Sequence, residues 1–140
     1  MAHVSIYSSM ATIHKQIKIE KSAAFVWDAI RDVGAIHKRL VPGFAVDCKL
    51  EQGARTVTFA NGMVARELII SVDNETRRHS WSARTDNLIH HNASVQVFPT
   101  GEDRCRVVWI ADLLPDEVAP AMDGMIQQAL ETMRQTLESA

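Results

Sequence analysis

From Phe44 onward the chain alternates short runs of strand-forming residues with breaks of two or three residues, and this spacing restricts its topology more than any other feature. Phe44, Val46, Cys48 and Leu50 alternate with Ala45, Asp47, Lys49 and Glu51 before Gln52-Gly53 turns the chain. Further strands are expected at residues 55–59, 63–72, 76–84, 90–98 and 104–113. Their breaks are Ala60-Asn61-Gly62, Asp73-Asn74-Glu75, Thr85-Asp86-Asn87 and Pro99-Thr100-Gly101. Parallel neighbours need a crossover of roughly a dozen residues, so these connections dictate an antiparallel meander.

Residues 10–20 add a first strand, with Ile13, Lys15, Ile17 and Ile19 on one side and His14, Gln16, Lys18 and Glu20 on a wet side. Ser22 can cap a short helix that turns Phe25, Val26, Ala29, Ile30 and Val33 inward until Gly34 interrupts it. A second short helix over residues 35–40 stops ahead of Pro42-Gly43, because a residue before proline leaves the helical region. Residues 115–140 read as one long amphipathic helix. Its apolar stripe is Val118, Met122, Met125, Ile126, Ala129, Met133 and Leu137. It is either an ordinary core face or, being rich in adaptable thioethers, one wall of a ligand pocket. The helix starts near Asp116 or at Pro120, and Gly124 inside it costs about 1 kcal/mol relative to alanine. A close backbone or a ligand using that space would offset the cost.

A chain of 140 residues fits one domain over residues 1–140, large enough to bury about two thirds of its unfolded surface. Cys48 and Cys105 lack disulfide-framework or zinc-ligand spacing, and His90-His91 on a strand would point to opposite faces, so neither metal nor cofactor is expected. Net charge is -2 with both signs intermixed, which argues against nucleic acid. Residues 1–9 lack a leader pattern, and nothing approaches the ~20 apolar residues of a membrane span, so a cytoplasmic protein is expected.

Two polar constellations stand out within the strand pattern. If Asn61-Gly62 forms a two-residue turn, Arg55 pairs with Leu68 and Glu67 faces the other way. If 60–62 is a three-residue loop with Gly62 left-handed, Arg55 pairs with Glu67 on one face with Val57, Phe59, Met63, Ala65 and Ile69. The second register is favoured, since the first sets Arg66 beside Val57. The pair is then either a ligand anchor or a salt bridge that closes the sheet. His91 shares an apolar face with Ala93, Val95 and Val97. There it could touch a ligand, move a proton, or be satisfied by a neighbour. Trp81, beside His79 and Ala83, and Trp109, beside Cys105, Val107 and Ala111, either line a pocket or fill a core. In the last strand Val108 and Ile110 are apolar too, which leaves the opposite parity, and a dimer patch, open.

The whole chain resembles the START-like superfamily often called SRPBCC, which includes polyketide cyclases, START lipid-transfer domains, birch-pollen-allergen proteins and abscisic-acid receptors. The resemblance is carried by Ala23-Ala24-Phe25-Val26-Trp27-Asp28 with Arg31-Asp32, by Gly53-Ala54-Arg55, and by Glu67-Leu68-Ile69-Ile70 with Val72-Asp73. Arg78-His79, Leu88, His90-His91-Asn92-Ala93-Ser94, Trp109 and Asp112-Leu113-Leu114-Pro115 complete it. Asn61-Gly62 and Thr85-Asp86-Asn87 stand where the receptors carry gate and latch loops, with a shorter gate here. The resemblance implies an α+β helix-grip fold: a seven-stranded bent antiparallel sheet, two short helices after strand 1, and a long C-terminal helix closing a cavity.

The leading expectation is binding of a small, largely hydrophobic molecule, such as a lipid, isoprenoid or aromatic polyketide-like compound, by a monomer or homodimer. Its expected contacts are Arg55, Val57, Phe59, Met63, Glu67, Trp81, His91, Ala93, Trp109, Met122, Met125 and Met133. The alternative is a polyketide cyclase or aromatase with His91, Glu67 and Arg55 as catalytic candidates; no Ser-His-Asp set or phosphate loop offers other chemistry. A third class is a protein-interaction module of chaperone-regulator type, with a filled interior.

Overall fold

Most expected breaks in the strand pattern become tight connections in the structure, a computed structural model that describes residues 11–140. Residues 1–10, including Met10 at the expected start of the first strand and the stretch without a leader pattern, lie outside the described residues. The elements run β1 (Ala11–Ile19), α1 (Ala23–Arg31), α2 (Ile36–Arg39), β2 (Ala45–Glu51), β3 (Ala54–Phe59) and β4 (Val64–Asp73). They continue with β5 (Arg78–Arg84), β6 (His90–Gly101), β7 (Arg104–Leu114), a single 3-10 turn (Asp116–Val118) and α3 (Ala119–Glu138). One antiparallel sheet of seven strands has the order β1-β7-β6-β5-β4-β3-β2. The meander is thus complete, and β1 closes onto the last strand.

Register shifts between Ala45 and Asp47, Ile69 and Ser71, and Pro99 and Gly101 mark bulges. Each extra residue bends its strand, which curls the sheet around a concave face. The β3–β4 hairpin adopts the three-residue loop: Gly62 has φ +90°, and Phe59 N–H donates to Met63 O at 2.8 Å. Asn61 Oδ1 accepts Met63 N–H at 2.9 Å and holds the loop. Arg55 therefore pairs with Glu67 and Val57 with Ala65. The last strand resolves likewise, since Cys105, Val107, Ala111 and Leu113 are buried on the concave side and Val108 and Ile110 belong to the opposite face.

Ser22 caps α1, its Oγ accepting Phe25 N–H at 3.1 Å. The buried stripe of α1 keeps the expected Val26, Ala29 and Ile30, adds Ala23 and Trp27, and leaves Phe25 exposed and Val33 half-buried. Phe25 is 41% exposed, with Lys21 Nζ 5.1 Å from its ring centroid, because Trp27 takes the inward place and donates from Nε1 to Asn74 Oδ1 at 3.0 Å. In β2 the alternating apolar set does not stay on one buried face, since Val46 and Leu50 are 54% and 58% exposed. The bulge after Ala45 buries that alanine and turns Val46 out. Leu50 instead lies across Gly34, where a Cβ would come within 3.1 Å of its Cδ2.

The C-terminal segment is not one helix from residue 115: the 3-10 turn comes first and Pro120 sits in the first turn of α3. Ile126, Ala129, Leu130, Met133 and Leu137 are buried, and Leu130 is a member of the stripe that periodicity had left out. Each large member contributes about 2 kcal/mol on burial, which decides the face α3 presents to the sheet. Gly124 lies on the exposed side, and a Cβ there would meet nothing within 4 Å, so neither backbone nor guest uses its space. At the edge, Lys15 Nζ reaches Asp123 Oδ1 at 3.1 Å and Gln127 Oε1 at 3.3 Å. Glu20 N–H donates to Glu138 Oε2 at 2.9 Å and Lys21 Nζ to Ala140 O at 2.8 Å, fastening β1 and its exit to α3.

Candidate functional site

Between α3 and the concave face lies a cavity of about 340 Å³, in the range of small-molecule sites. Ten of the expected contacts line it: Arg55, Phe59, Met63, Glu67, Trp81, His91, Trp109, Met122, Met125 and Met133. Val57 and Ala93 do not. Val57 is fully buried between the longer Arg55 and Phe59, and Ala93 stands opposite Trp81 in the register, where its methyl cannot reach past the indole. Ile30, Ile36, Leu40 and Val41 from the α1–α2 region close one end. Thr85, Asn87 and Leu88, from the loop before β6, and Glu117, Val118 and Ala121, where the chain enters α3, also line it.

Arg55 and Glu67, both buried, form an ion pair with Nε to Oε1 at 2.8 Å. Nη1 of Arg55 donates to Val33 O at 3.0 Å, just beyond α1. Two of its five N–H donors are thus committed, one to Glu67 on the neighbouring strand and one to the segment that follows α1. Its guanidinium carbon lies 5.7 Å from the Trp81 ring centroid, a cation–π contact that also fixes the indole. The pair is therefore a structural clamp that also faces the cavity.

His91 sits where the sheet opens. Pairing between β5 and β6 ends at Trp81 and Ala93, and side chains bridge the gap beyond. Ser82 Oγ donates to His91 O, and Ala83 N–H donates to His91 Nδ1 at 2.9 Å. A ring nitrogen that accepts carries no proton, so the neutral ring is protonated on Nε2. Burial, then the neighbouring charges of His90 and Arg84, hold its pKa down at about 4. In this arrangement Nδ1 of His91 is occupied as an acceptor and Nε2 carries the ring's proton.

His79 is the cavity residue the sequence reading passed over, although alternation placed it beside Trp81. Only 3% exposed, it stacks on Trp81 with centroids 4.9 Å apart and planes 22° apart. Its Nδ1 lies 3.0 Å from Ser71 O; a carbonyl only accepts, so Nδ1 carries the proton and Nε2 keeps a free lone pair. That Nε2 is buried without a partner, and so is Nε1 of Trp109. Burial, then the Arg55 charge, push the His79 pKa down to about 4. Its signal was invisible in the sequence because Ser71 reaches this register only through the bulge in β4. Trp109 meets Trp81 edge-on, centroids 5.3 Å apart, so three flat rings form one wall.

Cys48 and Cys105 are free, buried thiols; burial raises both pKa values, that of Cys105 to about 11, so neither is an activated nucleophile. Among the described residues no group of three or more His, Cys, Asp or Glu is placed to hold a metal ion, and no helix is long and apolar enough to cross a membrane.

A bent seven-stranded antiparallel sheet gripping a long C-terminal helix over a cavity defines a START-like helix-grip protein of the SRPBCC superfamily. Residues 10–138 match the family model described as polyketide cyclase / dehydrase and lipid transport, and the chain belongs to that family. No curated protein matches it. Among solved structures, XoxI from Bacillus cereus is similar with a TM-score of 0.82 at 18% identity, over 91% of this chain and 96% of that one. Norcoclaurine synthase from Thalictrum flavum, in complex with dopamine and hydroxybenzaldehyde, has a TM-score of 0.71 at 22% identity over 99% and 92%. A START superfamily protein from Mycobacterium smegmatis has a TM-score of 0.67 at 12% identity over 91% and 94%. At these identities the likeness is one of fold.

Proposed function

We propose that the protein binds a small, flat, largely apolar molecule in the cavity under α3. The observation that carries this reading is an unfilled space of about 340 Å³ walled by Trp81, Trp109 and the methionines of α3, with polar groups confined to a few positions. Family membership supports a hydrophobic ligand or a cyclase role. The norcoclaurine synthase relative, solved with two aromatic molecules, favours an aromatic guest over a long acyl chain. A module that works only through its surface would have a filled interior, so the space counts against that class.

Thermal melting with added flat aromatics, isoprenoids and fatty acids tests the reading. A ligand at 100 times its Kd stabilises the folded state by about 2.7 kcal/mol, a readable rise in Tm. Aromatics should give the largest rise and quench tryptophan emission; no shift with any class at saturation would sink the proposal.

One observation favours cyclisation or dehydration as a second reading. Glu67 and His79 both line one largely apolar cavity, beside the Arg55 guanidinium that stands over Trp81. General base and enolate stabiliser would then be His79 or Glu67, and Arg55. Turnover of a poly-keto substrate that survives Glu67→Gln and His79→Phe together would remove this reading.

A further inference from the structure

We propose that the free edge of β2 pairs antiparallel with β2 of a second copy of this chain, about a two-fold axis at Cys48, so that two sheets join into one. β2 ends the sheet order, with no strand beyond it among the described residues. A free edge carries a row of unused backbone donors and acceptors and templates a further strand. No residue of β2 lines the cavity, so the pairing and the guest are tested separately.

Which backbone groups are unused follows from the ladder. On β3, Phe59 N–H turns to the β4 side, where it bonds Met63 O. Backbone direction alternates along a strand, so Arg55 and Val57 turn that way too, and Ala54, Thr56 and Thr58 turn to β2. Their register partners Glu51, Lys49 and Asp47 therefore direct their N–H and C=O to β3. Cys48 and Leu50, between them, point theirs away from the sheet. Among the described residues Val41 and Pro42 cover this edge only at Ala45, whose N–H donates to Val41 O at 3.0 Å. The segment after α1 meets β2 through side chains of the concave side, Cys48 Sγ lying 3.7 Å from Val33 O and Leu50 lying across Gly34.

Side-chain chemistry names the occupant. The regular part of the edge begins Asp47-Cys48-Lys49, and neither charged group has an ion-pair partner among the described residues. An antiparallel copy centred on Cys48 sets Asp47 opposite the partner's Lys49, twice by symmetry, and lets Cys48 exchange both backbone bonds with the partner's Cys48. Centring on Asp47 or on Lys49 opposes like charges, as does a parallel copy. Val46 and Leu50, 54% and 58% exposed, come beside the partner's Leu50 and the partner's Val46 and lose water. A strand of seven residues is short of the roughly 20–30 residues a side of a standard interface, so the dimer should form and part with concentration in the micromolar range.

Sedimentation velocity of the full chain at neutral pH, from about 5 to 500 µM, tests the pairing. The native protein should pass from monomer toward dimer across that range. Asp47→Lys and Lys49→Asp each put like charges opposite one another at both symmetric positions and should weaken the dimer at least about tenfold; the two together reverse every pair and should restore it. A native protein still monomeric at about 500 µM overturns the proposal. So does a dimer that the single variants leave at full strength, which then uses another face, or a double variant no stronger than the singles. Should a single variant fail to fold, amide exchange in the native protein decides. The Cys48 amide must slow between dilute and concentrated samples, while those of Asp47 and Lys49, already bonded to β3, change less; an unmoved Cys48 rate overturns the proposal.

Discussion

Nδ1 of His91 takes the place of a strand carbonyl, accepting the backbone N–H of Ala83 at 2.9 Å where β5 and β6 have stopped pairing. A side chain here repairs the sheet, and the repair works only while the ring is neutral. His79 is bound to the same condition by burial beneath the ring wall.

Stability should therefore fall with acid in a defined window. Both histidines have folded pKa values of about 4 against 6.5 for the ordinary group, so the unfolded chain binds protons first as pH drops. The stability they contribute is whole above about pH 6.5 and lost progressively down to about pH 4, by up to roughly 3 kcal/mol for each. Urea unfolding at closely spaced pH values reads this directly. A flat profile across the window would contradict the buried neutral rings.

The clamp between Arg55 and Glu67 predicts an asymmetry between single and double substitutions. Arg55→Met strands a buried carboxylate and should cost about 3–5 kcal/mol. Adding Glu67→Leu removes the stranded charge and should recover most of the loss. Denaturant midpoints of the two single variants and the double variant measure the coupling.

Ala129 is buried on α3 and lines the cavity. Ala129→Leu should extend into empty space, holding or raising stability by up to about 1 kcal/mol while weakening aromatic ligands at least about tenfold. Melting and ligand titration on the same preparation separate the two effects, and a variant that melts early with binding intact would show the space to be misplaced.

Gly124→Ala should stabilise the protein by about 1 kcal/mol and raise Tm by a few degrees, because the new methyl meets nothing and only helix propensity changes. Ligand affinity should not change.

How far the chain could be read before its structure depended on the reach of each interaction. The meander of the strands after Phe44, the register of Arg55 with Glu67, and the methionine face of α3 follow from alternation, turn length and helical period, all of them local, whereas the pairing of β1 with β7 does not. Phe25 was misplaced because a competing tryptophan takes the inward place, and the apolar alternation of β2 is broken by a bulge after Ala45, neither of which local periodicity records. His79 was passed over for a related reason: its importance lies in a missing partner, and an absence across several strands leaves no mark on sequence spacing. His91 was found, but its role turned on which nitrogen the Ala83 amide engages, a matter of ångströms.

The bonds that join the strand-one exit to the far end of α3 have a mechanical consequence. Glu20 holds Glu138 and Lys21 holds Ala140, so tension applied between the two ends of the fold loads these exposed bonds before any sheet interior. They are single polar links in water, each weak and quickly re-formed. Their loss would free only the end of α3, while its buried stripe and all seven paired strands stayed in place, so fraying should begin where the chain's last helix meets the exit of β1.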